Sequence, residues 1–164
     1  MPRRSKHPVA TTTVADDIKQ KRAFATRSEE ASVGLLLTAD VVRRYGEKLL
    51  APYGITQQQY NVLRILRGSR PDGLPTLEIA ARMIEKAPGI TRLLDRLERK
   101  RLVIRERSPG DRRQVICRIS PKGVDLLPSL DSTIRRAIEP VNRLSQKDLK
   151  RLIVLLDSVR REYR

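Results

Sequence analysis

Between Thr76 and Ser120 the apolar period changes from three-and-four to two, and that change limits the folds open to the chain. Ile79, Ala80 and Met83 follow Thr76 at helical spacing, "EKAPG" at 85–89 makes a turn, and Ile90, Leu93, Leu94 and Leu97 resume the period at i, i+3, i+4 and i+7. Thr76 is placed to cap the first short helix, which the spacing carries through Met83, and Pro88 suits the first position of the second. "LVIRER" at 102–107 is short and β-branched. Val115, Cys117 and Ile119 alternate with Gln114, Ile116 and Arg118, so antiparallel strands are expected on either side of "SPGDRR" at 108–113. Two short helices joined by a tight turn and followed by a hairpin make a helix-turn-helix with a wing.

The flanks are helical by the same criterion. Val33, Leu36, Leu37, Val41, Tyr45 and Leu49 mark a helix over 29–50, with Gly54 as a stop. Thr56 and Gln59 form a capping box ahead of a helix that buries Tyr60, Leu63 and Leu66, and Gly68, Pro71 and Gly73 punctuate the next loop. Ser120 and Pro121 open a long helix with Leu127, Leu130, Ile134, Ile138 and Val141 on its apolar face and a kink expected at Pro128. Ser145 caps a last helix bearing Leu149, Leu152, Ile153, Leu156 and Val159. The expected architecture is mainly α, about six helices plus a β-hairpin wing. Residues 1–26, with Arg3, Arg4, Lys6, Lys19, Lys21 and Arg22, read as a flexible basic arm ahead of one domain over 27–164. The arm is either a solubilising tail or a reach toward DNA.

Thirty-five basic against 19 acidic residues give a formal charge of +16, which implies a polyanionic partner, duplex DNA foremost. The aromatics are Phe24, Tyr45, Tyr53, Tyr60 and Tyr163, with no Trp, so the core must be aliphatic and stacking platforms for single strands are disfavoured. Cys117 is the only cysteine and His7 the only histidine, so one chain builds neither a disulfide nor a Cys/His metal site nor a His-based catalytic pair. No enzyme activity and no cofactor are expected. The chain lacks an apolar run of membrane-spanning length and the apolar core of a signal peptide, so a cytoplasmic, nucleoid-associated protein without membrane partners is expected.

A wing beside a recognition helix reaches the flanking minor groove, whose potential attracts arginine. Asp111, two residues before Arg113, can hold that guanidinium ready for insertion. Alternatively, "GDRR" is only a soluble charged turn, and the outer face of the 90–100 helix is a solvated surface laced by pairs such as Asp95–Arg99.

"TLEIAARM" (76–83), "ITRLLDRLERKRLV" (90–103), "SPGDRR" (108–113), "RISPKG" (118–123) and "LSQKDLKRLIVLLDSV" (144–159) together resemble the multiple antibiotic resistance regulator (MarR) family of bacterial transcription factors, over residues 29–163. The resemblance implies an intertwined homodimer, with dimerisation helices over 29–50 and 121–163 and a DNA-binding lobe over 56–119 that reads a pseudo-palindromic double-stranded operator. It implies DNA contacts from Lys86, Ala87, Pro88, Gly89, Thr91 and Arg92 at the start of the recognition helix and from Arg96 one turn on. On the wing it places Arg113, oriented by Asp111, in the minor groove, with Arg112 and Arg107 on phosphates. The function implied is that of a transcriptional repressor released by a small aromatic ligand; a constitutive architectural DNA-binding protein is the alternative. Tyr45, Tyr53 and Tyr60 either line the ligand cavity or are core and surface aromatics with wetted tips. Cys117, on the inward face of a wing strand, is expected to be inert. The chain departs from the family where Arg101 stands for the usual glycine helix stop, where "EKAPG" lacks a Ser or Thr at the recognition helix's start, and at Pro140, late in a helix that usually runs unbroken.

Overall fold

The computed structural model describes residues 12–85, 89–108, 110 and 113–163, and the chain divides into two compact units, Met1–Arg44 and Tyr45–Arg164. In the first unit, α1 (Val14–Asp17) carries a capping box. Thr13 Oγ1 accepts the Asp16 amide at 3.3 Å, and the Asp16 carboxylate accepts the Thr13 amide at 2.8 Å. This short helix falls within the segment read as a flexible arm. Helix α2 (Arg27–Leu50) starts two residues before the expected position because Thr26 Oγ1 accepts the Glu29 amide at 3.1 Å and Glu29 returns a bond from the Ala25 amide at 2.9 Å.

The second unit contains the aliphatic core. After Leu50 a 3-10 turn (Ala51–Tyr53) ends at Gly54 in the left-handed region, and α3 (Gln57–Arg67) opens with the expected capping box of Thr56 and Gln59. A two-residue strand β1 (Leu74–Pro75), too short to leave a periodic trace, pairs antiparallel with the strand at Val115–Ile119. Because Pro75 belongs to that strand, α4 (Thr76–Arg82) begins without a side-chain cap. Thr76 lies in its first turn, where its hydroxyl lies 3.8 Å from Cys117 Sγ instead of capping. Met83 is already extended, so the helix stops one residue short of the expected end. Helix α5 (Ile90–Arg99) starts after Gly89 at φ 100°, a conformation suited to glycine, and Pro88, the expected first position, lies outside the described residues.

The wing strands β2 (Val103–Arg107) and β3 (Val115–Ile119) pair antiparallel from Val103↔Ile119 to Arg107↔Val115, in sheet order β1-β3-β2. Gly73, at φ 76°, lets β1 approach, since a Cβ there would lie 2.4 Å from the Cys117 carbonyl oxygen. Helix α6 (Pro121–Ala137) is capped by Ser120, whose hydroxyl accepts the Gly123 amide at 3.0 Å. It holds Pro128 in its interior, with that proline exposed. The interruption falls at Ile138. The expected face carrying Ile138 and Val141 thereby leaves the long helix, and α7 (Glu139–Asn142) restarts with Pro140 in its first turn, where a missing amide is harmless. Helix α8 (Gln146–Glu162) is capped by Ser145 as expected. None of the described helices is long and apolar enough to cross a membrane.

Leu50, Leu63, Leu66, Ile79, Leu94, Leu97, Leu127 and Leu130 are fully buried in one cluster, to which Tyr60 is the single aromatic contributor. Its hydroxyl donates to Asp131 Oδ1 at 2.6 Å, Arg67 meets Asp131 Oδ2 at 2.7 Å, and the Arg64 guanidinium lies 5.9 Å from the Tyr60 ring centre. Tyr60, Arg64 and Arg67 share one face of α3 at i, i+4 and i+7, so a single carboxylate on α6 ties α3 to it. Burial tends to raise the Asp131 carboxyl, but the Tyr60 hydroxyl and the Arg67 guanidinium outweigh it and hold Asp131 below the usual carboxylate range. A depressed folded-state pKa means stability that is complete above about pH 4 and lost as pH falls through the folded value. Asp131→Asn should therefore lower stability by about 1–3 kcal/mol at pH 7, and the gap to wild type should close below about pH 4. Denaturant titration at both pH values checks this; a gap that widens in acid contradicts the tie.

Candidate nucleic-acid interface

Helix α5 splits its residues between two environments. Leu94 and Leu97 are fully buried, while Thr91, Arg92, Arg96 and Arg99 face solvent. Its two acids do not serve those arginines. Arg105 on β2 reaches Asp95 Oδ1 at 2.6 Å, and its Nε and Nη2 reach Glu98 Oε2 at 2.9 and 2.7 Å. The alternative of a surface laced by Asp95–Arg99 pairs gives way to a tie between recognition helix and wing, and among the described residues no ion pair engages Arg92, Arg96 or Arg99. The reason is reach: β2 begins four residues after α5 ends and folds back beside it, so Arg105 approaches two carboxylates spaced at i and i+3. The bonds to Glu98, then to Asp95, raise the Arg105 pKa still further above neutrality. Arg118 on β3 likewise answers Glu106 on β2 at 2.5 Å, stiffening the hairpin.

Of the residues expected to meet DNA, Gly89, Thr91, Arg92, Arg96, Arg107 and Arg113 are all exposed. Lys86, Ala87 and Pro88 at the recognition helix's start, and Asp111 and Arg112 at the wing tip, lie outside the described residues. The hairpin closes at Ser108, whose amide donates to the Gln114 carbonyl at 2.9 Å. Thr91 and Arg113 come together across an open cleft of about 470 Å³ between α4, α5 and the wing base, with Thr76, Leu77, Arg105 and Gln114 on its walls. Arg96 lies elsewhere, in a second cleft with Arg99 and Lys100 beside Gly54 and Thr56. There Lys100 Nζ donates to the Gly54 carbonyl and to Gln59 Oε1.

The tyrosines take different surroundings. Tyr60 is core, and burial together with its bond to Asp131 pushes its phenol up. Tyr53 is 40% exposed and shares a hydrogen bond of 3.0 Å with Thr133 Oγ1, two residues along α6 from the Tyr60 partner; Tyr45 is 43% exposed. Cys117 is fully buried, and desolvation raises its thiol pKa, in keeping with an inert role.

Sequence reading missed Arg105, Asp131, Leu77 and Gln114. The signal for Arg105 was present: an acid pair at i and i+3 on an otherwise basic helix asks for a cation from elsewhere. Asp131 left none, since its partners lie about 64 and 71 residues away in sequence.

The MarR family model matches residues 53–114, from the end of the 3-10 turn to the residue before β3. The crystal structure of a MarR transcription factor from Planctomyces limnophilus superposes with a TM-score of 0.65 at 37% identity, covering 82% of this chain and 98% of that one. The HTH-type transcriptional regulator MgrA of Staphylococcus aureus is 29% identical over 119 residues, 73% of this chain and 79% of MgrA. The crystal structure of the S. aureus MepR–DNA complex shares the fold, with a TM-score of 0.74 at 23% identity over 80% of this chain and 96% of MepR. The period change, the hairpin behind α5 and these likenesses agree: the chain is a winged helix-turn-helix protein of the MarR family of transcriptional regulators.

Proposed function

We propose that the chain acts as a homodimeric repressor at the nucleoid, binding a pseudo-palindromic operator through α5 and the wing and leaving it when a small aromatic ligand binds. The observation that carries the DNA part is the charge arrangement on α5. Both acids are consumed by Arg105, and the exposed face of Arg92, Arg96 and Arg99 stays cationic beside a wing held in register. In this reading Lys86, Ala87, Pro88, Gly89, Thr91, Arg92 and Arg96 meet base edges and phosphates in the major groove. Arg113, oriented by Asp111, enters the minor groove, and Arg107 and Arg112 meet phosphates. The dimer part is favoured by α8, where Leu152, Ile153, Val154, Leu155 and Val159 are between 37% and 63% exposed, more apolar surface than one helix presents to water without a partner.

Two exposed tyrosines, Tyr45 and Tyr53, suit an aromatic effector better than Tyr60, whose hydroxyl is already held by Asp131. The effector acts only by favouring a spacing of the two recognition helices other than the roughly 34 Å that successive major grooves require. The basic residues of the first 26 positions favour a second reading, a constitutive architectural protein. Specificity separates the two: a regulator prefers its operator over random duplex by about 10³-fold or more.

Arg113→Ala should weaken operator binding by about 1–3 kcal/mol and relax preference at flanking A·T steps, whereas Arg107→Ala should weaken all duplexes alike and flatten the salt slope by about 0.9. Fluorescence anisotropy on operator and random duplex measures both; identical behaviour of the two variants contradicts the wing assignment. Deleting residues 144–164 should convert the dimer to a monomer and abolish cooperative binding to two half-sites. Sedimentation of the intact chain as a monomer at micromolar concentration would overturn the dimer. Among aromatic carboxylates and phenols, at least one should raise the operator dissociation constant, an effect Tyr45→Ala blunts while ligand-free affinity stays within about 1 kcal/mol. A panel that leaves both operator affinity and melting temperature unchanged favours the architectural reading.

A further inference from the structure

The second cleft, about 380 Å³ beside Gly54 where the chain turns into α3, is lined by Thr56, Gln59, Arg96, Arg99 and Lys100, and none of its walls carries a carboxylate. Arg96 and Arg99 are exposed and engage no ion pair among the described residues. Lys100 meets the Gly54 carbonyl and Gln59 Oε1, both neutral, so its charge is not cancelled. Cations near the end of a helix such as α5 are ordinary, because they answer its negative pole. Gln59 is not explained that way. It is 2% exposed, the one buried residue on the cleft wall. Its Oε1 accepts the Thr56 amide at 3.2 Å and the Lys100 ammonium at 3.2 Å, two donors that fix which end of the carboxamide is oxygen. Nε2 is then a donor without an acceptor among the described residues. The side-chain atom sealed from solvent without a partner among those residues is Gln57 Oε1, so Gln59 Nε2 keeps an opening, and the cleft that Gln59 lines supplies it. Two guanidinia, an ammonium, a buried amide and the Thr56 hydroxyl thus line one volume as donors.

We propose that this cleft binds a free phosphate monoester, with Gln59 Nε2, Arg99 and Lys100 as its principal donors and Arg96 and Thr56 at its edge. A monoester brings three terminal oxygens and a charge of about −1.5 to −2 at pH 7, which suits three uncancelled cations and a neutral N–H. A DNA phosphodiester brings two free oxygens and a single charge, a poorer match for the same donors. The positive end of α3, an 11-residue helix capped by Thr56, opens on this side and adds to the attraction. The cleft is larger than a phosphate group alone, which leaves room for the organic part of the ester. Of these residues only Arg96 belongs to the set proposed to meet DNA, so the site does not depend on that reading.

The test is calorimetric titration of the full-length chain, without DNA, with inorganic phosphate, methyl phosphate and dimethyl phosphate in an amine buffer at fixed ionic strength, above the second phosphate pKa of about 6. Inorganic and methyl phosphate should bind at one site per chain, and the diester about tenfold or more weakly. Gln59→Glu keeps an oxygen for the Thr56 amide and for Lys100, so the capping box survives and the variant should melt no lower than wild type. By exchanging the unpaired N–H for a carboxylate oxygen, it should weaken methyl phosphate binding by about tenfold or more. Arg99→Gln, at an exposed and unpaired side chain, should fold normally and show a loss of similar size. No binding of methyl phosphate to wild type at millimolar concentration overturns the site. Binding that both variants leave unchanged also overturns it, since the anion then sits elsewhere on this basic chain. Equal affinity for monoester and diester does the same. So does a loss of random-duplex affinity in Gln59→Glu as large as its loss of methyl phosphate, which would make the cleft a seat for the DNA strand. A chain that binds methyl phosphate as described but no duplex removes the repressor reading and leaves the site standing.

Discussion

Four stretches of chain meet at the backbone of Arg101 and Leu102. The recognition helix ends there in a six-to-one and five-to-two pair of bonds, with the Leu102 amide on the Leu97 carbonyl at 3.0 Å and the Arg101 amide on the Glu98 carbonyl at 2.7 Å. Arg101 sits at φ 59°, as its position in place of a glycine stop requires, and accepts the cost of a left-handed arginine, about 1–2 kcal/mol. The returning wing strand ends on the same residues: the Ser120 amide donates to the Leu102 carbonyl at 3.0 Å and its hydroxyl to the Arg101 carbonyl at 2.7 Å. Helix α6 then departs from Ser120. A Cβ at Gly123 would lie 2.4 Å from the Leu102 carbonyl oxygen, so the first turn of α6 can come this close only with glycine there. Helix end, strand start, strand end and helix start thus converge on the backbone groups of two residues, which sets the angle between α5 and the wing.

That junction makes the Arg105 tie possible. With β2 folded back along α5, one guanidinium, its side chain only 23% exposed, satisfies two carboxylates, a stronger arrangement than a solvated pair on a helix surface. Its second effect is electrostatic. Removing Asp95 and Glu98 from the service of nearby arginines leaves a cationic face on α5. The tie between helix and wing and the charge of the α5 face therefore draw on the same three side chains.

The α3–α6 contact works by a related economy. Asp131 receives a phenol and a guanidinium, so Tyr60 contributes its ring to the core and its hydroxyl to a polar bond at the core's edge. Helix α8 stands apart: Leu149 and Leu156 are half-buried, the rest of its apolar residues are open to solvent, and the core cluster draws nothing from it.

The features legible in the sequence are those that local physics controls. Periodicity placed α2, α3, α5 and α8 and both wing strands, and the short-range bonds of Thr56, Ser120 and Ser145 fixed where three helices begin, because a cap and its amide lie within three residues of each other. The glycine-stop departure at Arg101 was legible for the same reason. Elements shorter than a period escaped: β1, α1 and α7 span two to four residues, and the strand at Pro75 displaced the cap expected at Thr76. Tertiary structure alone decided the pairing of charges and the fate of the tyrosines. Whether Asp95 answers Arg99 one turn away or Arg105 on another element depends on how the chain folds back at Leu102. Whether a tyrosine hydroxyl is free for a ligand depends on a carboxylate some seventy residues distant. Side chains of either sign reach about as far as a helical turn, so sequence spacing offers several partners of similar merit, and only the packing of distant elements selects one.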